Sequence, residues 1–170
     1  MGGNRFNAVV DSLYRALPGA GVAAARFDFT SSDTALAARQ TVEVIDVIPT
    51  RPLVLVGYSF GAAISTMVND DRLAGWFLIA PPLRHVAANQ SAIGSDPRPK
   101  ALAVPEFDQY TPPAEAAKAT EGWMNTTMNP VPGADHFLAG RLDHVVDQVL
   151  AWIRSPALAH GPAGPPPLPE

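Results

Sequence analysis

Leu53-Val54-Leu55-Val56-Gly57-Tyr58-Ser59-Phe60-Gly61-Ala62-Ala63 is the most informative stretch of the 170-residue chain. Four aliphatic residues in a row read as a buried strand, and Phe60 onward reads as a helix of small residues. Between them lies Gly-x-Ser-x-Gly. A strand that must reverse into a helix within one or two residues leaves the Ser in a strained backbone state. Side chains two positions to either side would crowd that turn, which accounts for Gly57 and Gly61. The Ser59 hydroxyl is pushed out over a helix N-terminus, whose free N–H groups suit developing negative charge. The bare motif would arise by chance in about one chain of this length in twenty; the flanking strand and helix make it much more specific. The plain alternative for Ser59 is a helix N-cap on a glycine-rich turn.

Working outward, Val22–Phe27, Gly75–Ala80 and Lys100–Val104 read as further buried strands, and Asn125–Pro130 as a weaker one. Helices are predicted from Phe6 to Leu17, stopped by Pro18-Gly19, and from an Asp33 N-cap to about Ile48. Others are predicted over Phe60–Val68, Pro112–Met124 and Leu138–Ile153. Strands alternating with helices predict a three-layer αβα sandwich with a mainly parallel sheet. The domain is expected over 1–154. Ser155–Glu170 holds six prolines and one formal charge, and reads as a flexible tail.

Composition narrows the function. The chain is 47% hydrophobic with a net charge of −4, which gives it a core and no basic face for nucleic acid. Cysteine is absent, so disulfides and a thiolate nucleophile are excluded. No run of 18 apolar residues and no leader-like N-terminal stretch is present, and the expectation is a cytoplasmic protein without membrane attachment. No metal-ligand spacing stands out, and neither metal nor cofactor is expected.

A nucleophilic Ser needs a base, and the base an orienting acid. Of four histidines, His160 lies in the tail and His144 within the last helix. His85 follows Pro81-Pro82 and could line a site mouth. His136, in Gly133-Ala134-Asp135-His136-Phe137, sits in a loop after the last strand and is the candidate base. Asp108, in the loop after Lys100–Val104, is the candidate acid, with Glu106 as runner-up. Asp135 is expected to brace the loop by bonds to backbone. The stretch Pro81–Pro99 is too short for a helical cap. An open site lined by Tyr58, Phe60, Leu83, His85, Tyr110 and Phe137 is expected, suited to a small-molecule acyl substrate.

Taken together, these segments resemble the α/β-hydrolase superfamily, in particular its compact, lidless, dienelactone-hydrolase-like branch. The matching residues are Gly2-Gly3, Arg26-Phe27-Asp28-Phe29, Gly57–Ala62, Asp108-Gln109-Tyr110-Thr111-Pro112 and Gly133–Phe137. The resemblance implies Ser59 as nucleophile, His136 as base and Asp108 as orienter. It further implies an oxyanion hole from the N–H of Phe60 and a second N–H near Gly3. Members carry about three strands before the Gly-Gly turn, and this chain starts at that turn, as a fragment or a late start would. The expected fold is therefore an α/β-hydrolase fold lacking its first strands. Either Val22–Phe27 pairs directly with Leu53–Gly57, or a partner chain fills a gap; the exposed sheet edge leaves a homo-oligomer open. Three functions stay open: a serine carboxylic-ester hydrolase, a non-catalytic domain with an incomplete oxyanion hole, and an acyltransferase.

Overall fold

The structure, a computed structural model, describes residues 4–49, 52–85 and 93–159. Among these residues, four strands form one sheet in the order β1-β2-β3-β4, all parallel: β1 Leu53–Tyr58, β2 Leu73–Ile79, β3 Lys100–Phe107 and β4 Thr126–Asp135. Helices α1 (Ala8–Gly19), α2 (Thr34–Val47), α3 (Phe60–Ser65), α4 (Pro113–Ala119), α5 (Leu142–Ile153) and α6 (Pro156–Ala159) complete it.

The two faces of the sheet build two cores. On one, Phe77, Ile79, Ala101 and Ala103 pack against Val9, Leu13 and Leu17 of α1 and Val145 and Val149 of α5. On the other, Trp76, Leu78, Leu102 and Val104 meet Ile45 of α2, Ala62 of α3 and Ala116 of α4. Strands buried on both faces carry near-continuous apolar runs, which is the pattern of β2 and β3. The helix signals act as the sequence suggests. Asp33 accepts the N–H of Leu36 at 2.8 Å, and Asn7 accepts that of Val9 at 3.0 Å.

Several boundaries differ from expectation. Helix α1 runs through Pro18 to Gly19, and the chain turns at Gly21, whose φ of +78° suits glycine while the N–H of Val22 closes on Leu17 O. β4 is longer than predicted and carries Pro130 and Pro132. It pairs only with β3, and an edge strand tolerates residues without an N–H. Residues 156–159, expected in the flexible tail, form α6, and Leu158 packs over Gly75.

The largest correction concerns Val22–Phe27. It is not a strand of the sheet: β1 has β2 on one side and no strand on the other among the described residues. The segment alternates exposed and half-buried residues from Gly21 to Ala25, the period-two signature of extended chain, but bonds to no ladder among the described residues. It runs along a trench of about 1420 Å³ whose opposite wall is β1. Apolar, extended sequence makes a strand only when a neighbour lies at ladder distance, and among the described residues none does here.

Candidate active site

Parallel strands bring their carboxyl ends to one edge of the sheet. Ser59 follows β1, Asp108 follows β3 and His136 follows β4. Ser59 holds φ 49° and ψ −115°, a positive-φ conformation rare for a residue with a side chain. The turn is held by Gly57: a Cβ there would lie 2.5 Å from Gly61 O and 2.6 Å from Ser65 Oγ. Gly61 is different from the sequence expectation. A Cβ there would meet only Phe29 Cε2, at 4.0 Å, because the crowding at this turn is one-sided.

The three side chains form one hydrogen-bonded chain. Ser59 Oγ is 2.8 Å from His136 Nε2, and His136 Nδ1 is 2.9 Å from Asp108 Oδ2. His136 and Asp108 are buried. The other carboxylate oxygen, Asp108 Oδ1, accepts the backbone N–H groups of Tyr110 at 2.8 Å and Thr111 at 3.0 Å. Burial pulls the Asp108 pKa upward. The hydrogen bond from His136 and those from Thr111 and Tyr110 outweigh it, and the carboxyl sits below its ordinary value. It therefore stays ionised at neutral pH, beside the imidazole.

The His136 loop is braced on several sides. Asp135 Oδ1 accepts the N–H of Phe137 at 3.0 Å, and Glu106 Oε2 accepts that of Gly133 at 2.7 Å. Glu106, the second candidate acid, thus serves this loop instead of contacting the imidazole. Gln109 Oε1 accepts the N–H of His136 at 3.4 Å, and the Tyr58 hydroxyl donates to His136 O at 3.2 Å. The Tyr58 pKa is pushed up to about 12 by burial and then by the Asp108 charge, so its hydroxyl remains a donor. Gln109 escaped the sequence reading because an amide next to an acid carries no signal of its own.

Around the imidazole, the Tyr110 ring stands edge-on at 4.4 Å between centroids and Phe137 at 5.6 Å. Phe137 is 59% exposed and forms an open rim. Phe60 packs edge-on against Phe29. Leu83, expected at the site, is buried in the second core instead. Gly3 and the His85 side chain lie outside the described residues. His144 is on α5, bonded to Gln148. Among the described residues, no three His, Asp or Glu side chains converge as a metal site, and no helix is long and apolar enough to cross a membrane.

Comparison with known proteins shows the family and the fold. The model of the Alpha/beta hydrolase family matches residues 6–170. No curated protein sequence matches. Among solved structures, an alpha-beta serine hydrolase homologue from Coxiella burnetii is 21% identical with a TM-score of 0.75, covering 91% of this chain and 79% of that one. A lidless α/β serine hydrolase from Xanthomonas campestris is 23% identical with a TM-score of 0.71, covering 96% and 78%. Est1E from Butyrivibrio proteoclasticus reaches 0.80 at 13% identity, covering 94% and 86%.

Proposed function

Because this chain belongs to the alpha/beta hydrolase family, we propose that it is a serine hydrolase acting on a small carboxylic ester or related acyl compound. The observation that carries the proposal is the unbroken chain Ser59 Oγ–His136 Nε2–His136 Nδ1–Asp108 Oδ2, with links of 2.8 and 2.9 Å.

In this reading Ser59 Oγ attacks the acyl carbonyl while His136 Nε2 takes its proton. Asp108 fixes the tautomer that leaves Nε2 unprotonated, and its charge stabilises the imidazolium. The protonated His136 then gives its proton to the departing alkoxide. Water attacks the acyl-enzyme by the same route, and the acid is released. The negative oxygen of each tetrahedral intermediate faces the N–H of Phe60, the first residue of α3. The positive φ of Ser59 is the backbone strain that accompanies placing Oγ over that helix end. The open rim of Tyr110 and Phe137 favours compact acyl groups.

The test is covalent labelling by a fluorophosphonate together with hydrolysis of p-nitrophenyl acetate. Ser59 is expected to carry the label, and Ser59→Ala to abolish both signals. Folded protein that does not label, or a Ser59→Ala variant that still hydrolyses the ester at the original rate, would overturn the reading. Product analysis with an added alcohol separates hydrolysis from acyl transfer.

A further inference from the structure

The bonds that hold the His136 loop differ in reach, and so in what they can fix. Asp135 Oδ1 accepts the N–H of Phe137 at 3.0 Å, and Leu138 donates its N–H to Asp135 O at 3.1 Å. Partners so close along the chain give the loop its shape but not its place on the molecule. Glu106 Oε2 accepts the N–H of Gly133 at 2.7 Å and anchors the loop three residues before the base. Two further bonds from distant segments reach His136 itself. Gln109 Oε1 accepts its N–H at 3.4 Å, and the Tyr58 hydroxyl donates to its C=O at 3.2 Å.

These two partners are the chain neighbours of Ser59 and Asp108. Tyr58 is the last residue of β1 and precedes Ser59, and Gln109 follows Asp108. The N–H they hold belongs to the peptide before the His136 Cα, and the C=O to the peptide after it. Fixing both planar units fixes φ and ψ of His136, and with them the direction of its Cα–Cβ bond. The Tyr58 ring also stands beside the imidazole, 5.8 Å between centroids and tilted by 32°. Nε2 lies about 4–5 Å from the axes of those torsions, so a turn of about 10° moves it by about 0.8 Å, and a misplacement of about 1 Å can cost about 100-fold in rate. The contact at stake is the 2.8 Å from Ser59 Oγ to His136 Nε2.

We propose that Tyr58 and Gln109 are positioning residues: together they clamp the backbone of His136 on both sides of its Cα and so set where Nε2 stands over Ser59 Oγ. The proposal rests on the catalytic reading above and divides the labour within it. Asp108 selects the tautomer through Nδ1, whereas the clamp fixes the point from which the ring hangs. Each bond alone still restrains one of the two peptides. Losing both is therefore expected to exceed the product of the single losses. Folding does not depend on either bond: the Gln109 side chain is exposed, and Tyr58→Phe keeps the ring.

The test measures kcat and KM for p-nitrophenyl acetate with the full 170-residue chain, and thermal melting as the control for folding. Tyr58→Phe and Gln109→Leu are each expected to lower kcat about fivefold, and the pair about 100-fold, above the product of about 25. KM is expected to stay within about twofold and the melting temperature within a few degrees. Gln109→Glu keeps an acceptor oxygen at the same reach and is expected to hold kcat within about twofold of the parent. Three results would overturn the clamp while leaving the Ser59 reading intact. One is a double variant within about threefold of the parent. Another is a loss confined to KM, which would make both residues substrate contacts. The third is a Gln109→Glu protein no faster than Gln109→Leu. A parent without turnover that Ser59→Ala abolishes would instead sink the catalytic reading, and the crystal structure of the double variant then judges the clamp. There the distance from Ser59 Oγ to His136 Nε2 is expected to open past about 3.5 Å; a contact kept at 2.8 Å would refute it.

Discussion

Replacing Asp108 by Asn removes one charge and almost no volume, and the hydrogen bonds around the carboxylate dictate the consequence. Asp108 Oδ1 accepts two backbone N–H groups, from Tyr110 at 2.8 Å and Thr111 at 3.0 Å, while Oδ2 faces His136 Nδ1 at 2.9 Å. If the Asn keeps its oxygen on the two backbone donors, its NH2 group faces Nδ1. The imidazole must then carry its proton on Nε2, which points at Ser59 Oγ 2.8 Å away and can no longer accept the hydroxyl proton. If the amide turns over, its NH2 group meets two buried backbone donors that lose their acceptor. The first arrangement removes the base, and the second leaves buried N–H groups unpaired. A wrong tautomer of this kind typically costs about 10⁴-fold in rate, or about 5.4 kcal/mol of transition-state stabilisation. The assay is the second-order rate of fluorophosphonate labelling at Ser59, with thermal melting by circular dichroism as a control for folding. Glu106→Gln is the comparison, since Glu106 Oε2 bonds to the loop, at Gly133 N; its labelling is expected to stay within about tenfold of the parent. A folded Asp108→Asn protein that labels within about tenfold of the parent would refute the assignment of Asp108 as the group orienting His136.

Other outcomes rest on the same geometry. Gly57→Ala is expected to destabilise the fold by about 1–3 kcal/mol in urea titration, because its Cβ would overlap Gly61 O. Gly61→Ala, with 4.0 Å to its nearest neighbour, is expected to change stability by less than about 1 kcal/mol; equal losses at both positions would contradict the one-sided crowding. Buried Lys100 donates to Asp96 O and Arg98 O, and burial lowers its pKa to about 8 from 10.5. Between those values the unfolded chain holds more protons than the native state, so stability is expected to rise with pH from about 8 to 10.5. Lys100→Met should lose that rise, and a variant with unchanged pH dependence would reject the argument. Asp96, hydrogen-bonded by Arg98, has its pKa lowered to about 2 from 3.8. Its contribution is full above about 3.8 and fades as pH falls through about 2, so Asp96→Asn should flatten the acid limb of the unfolding curve.

The amino-acid sequence by itself determined what depends on near neighbours. The run Leu53–Val56, the glycine at 57 and the small residues after Phe60 specify strand, turn and helix within a dozen positions. The alternation of such units dictated a parallel sheet, whose carboxyl ends gather the loops holding Ser59, Asp108 and His136. Tertiary structure decided everything that needed a partner from far along the chain. Glu106 and Asp108 are two residues apart, yet only packing sends one to Gly133 N and the other to His136 Nδ1. Leu83 is as apolar as the rim residues and went into the core. Val22–Phe27 carries strand-like sequence but stays outside the sheet, because a ladder hydrogen bond requires a second backbone at the right distance, and composition cannot supply that distance.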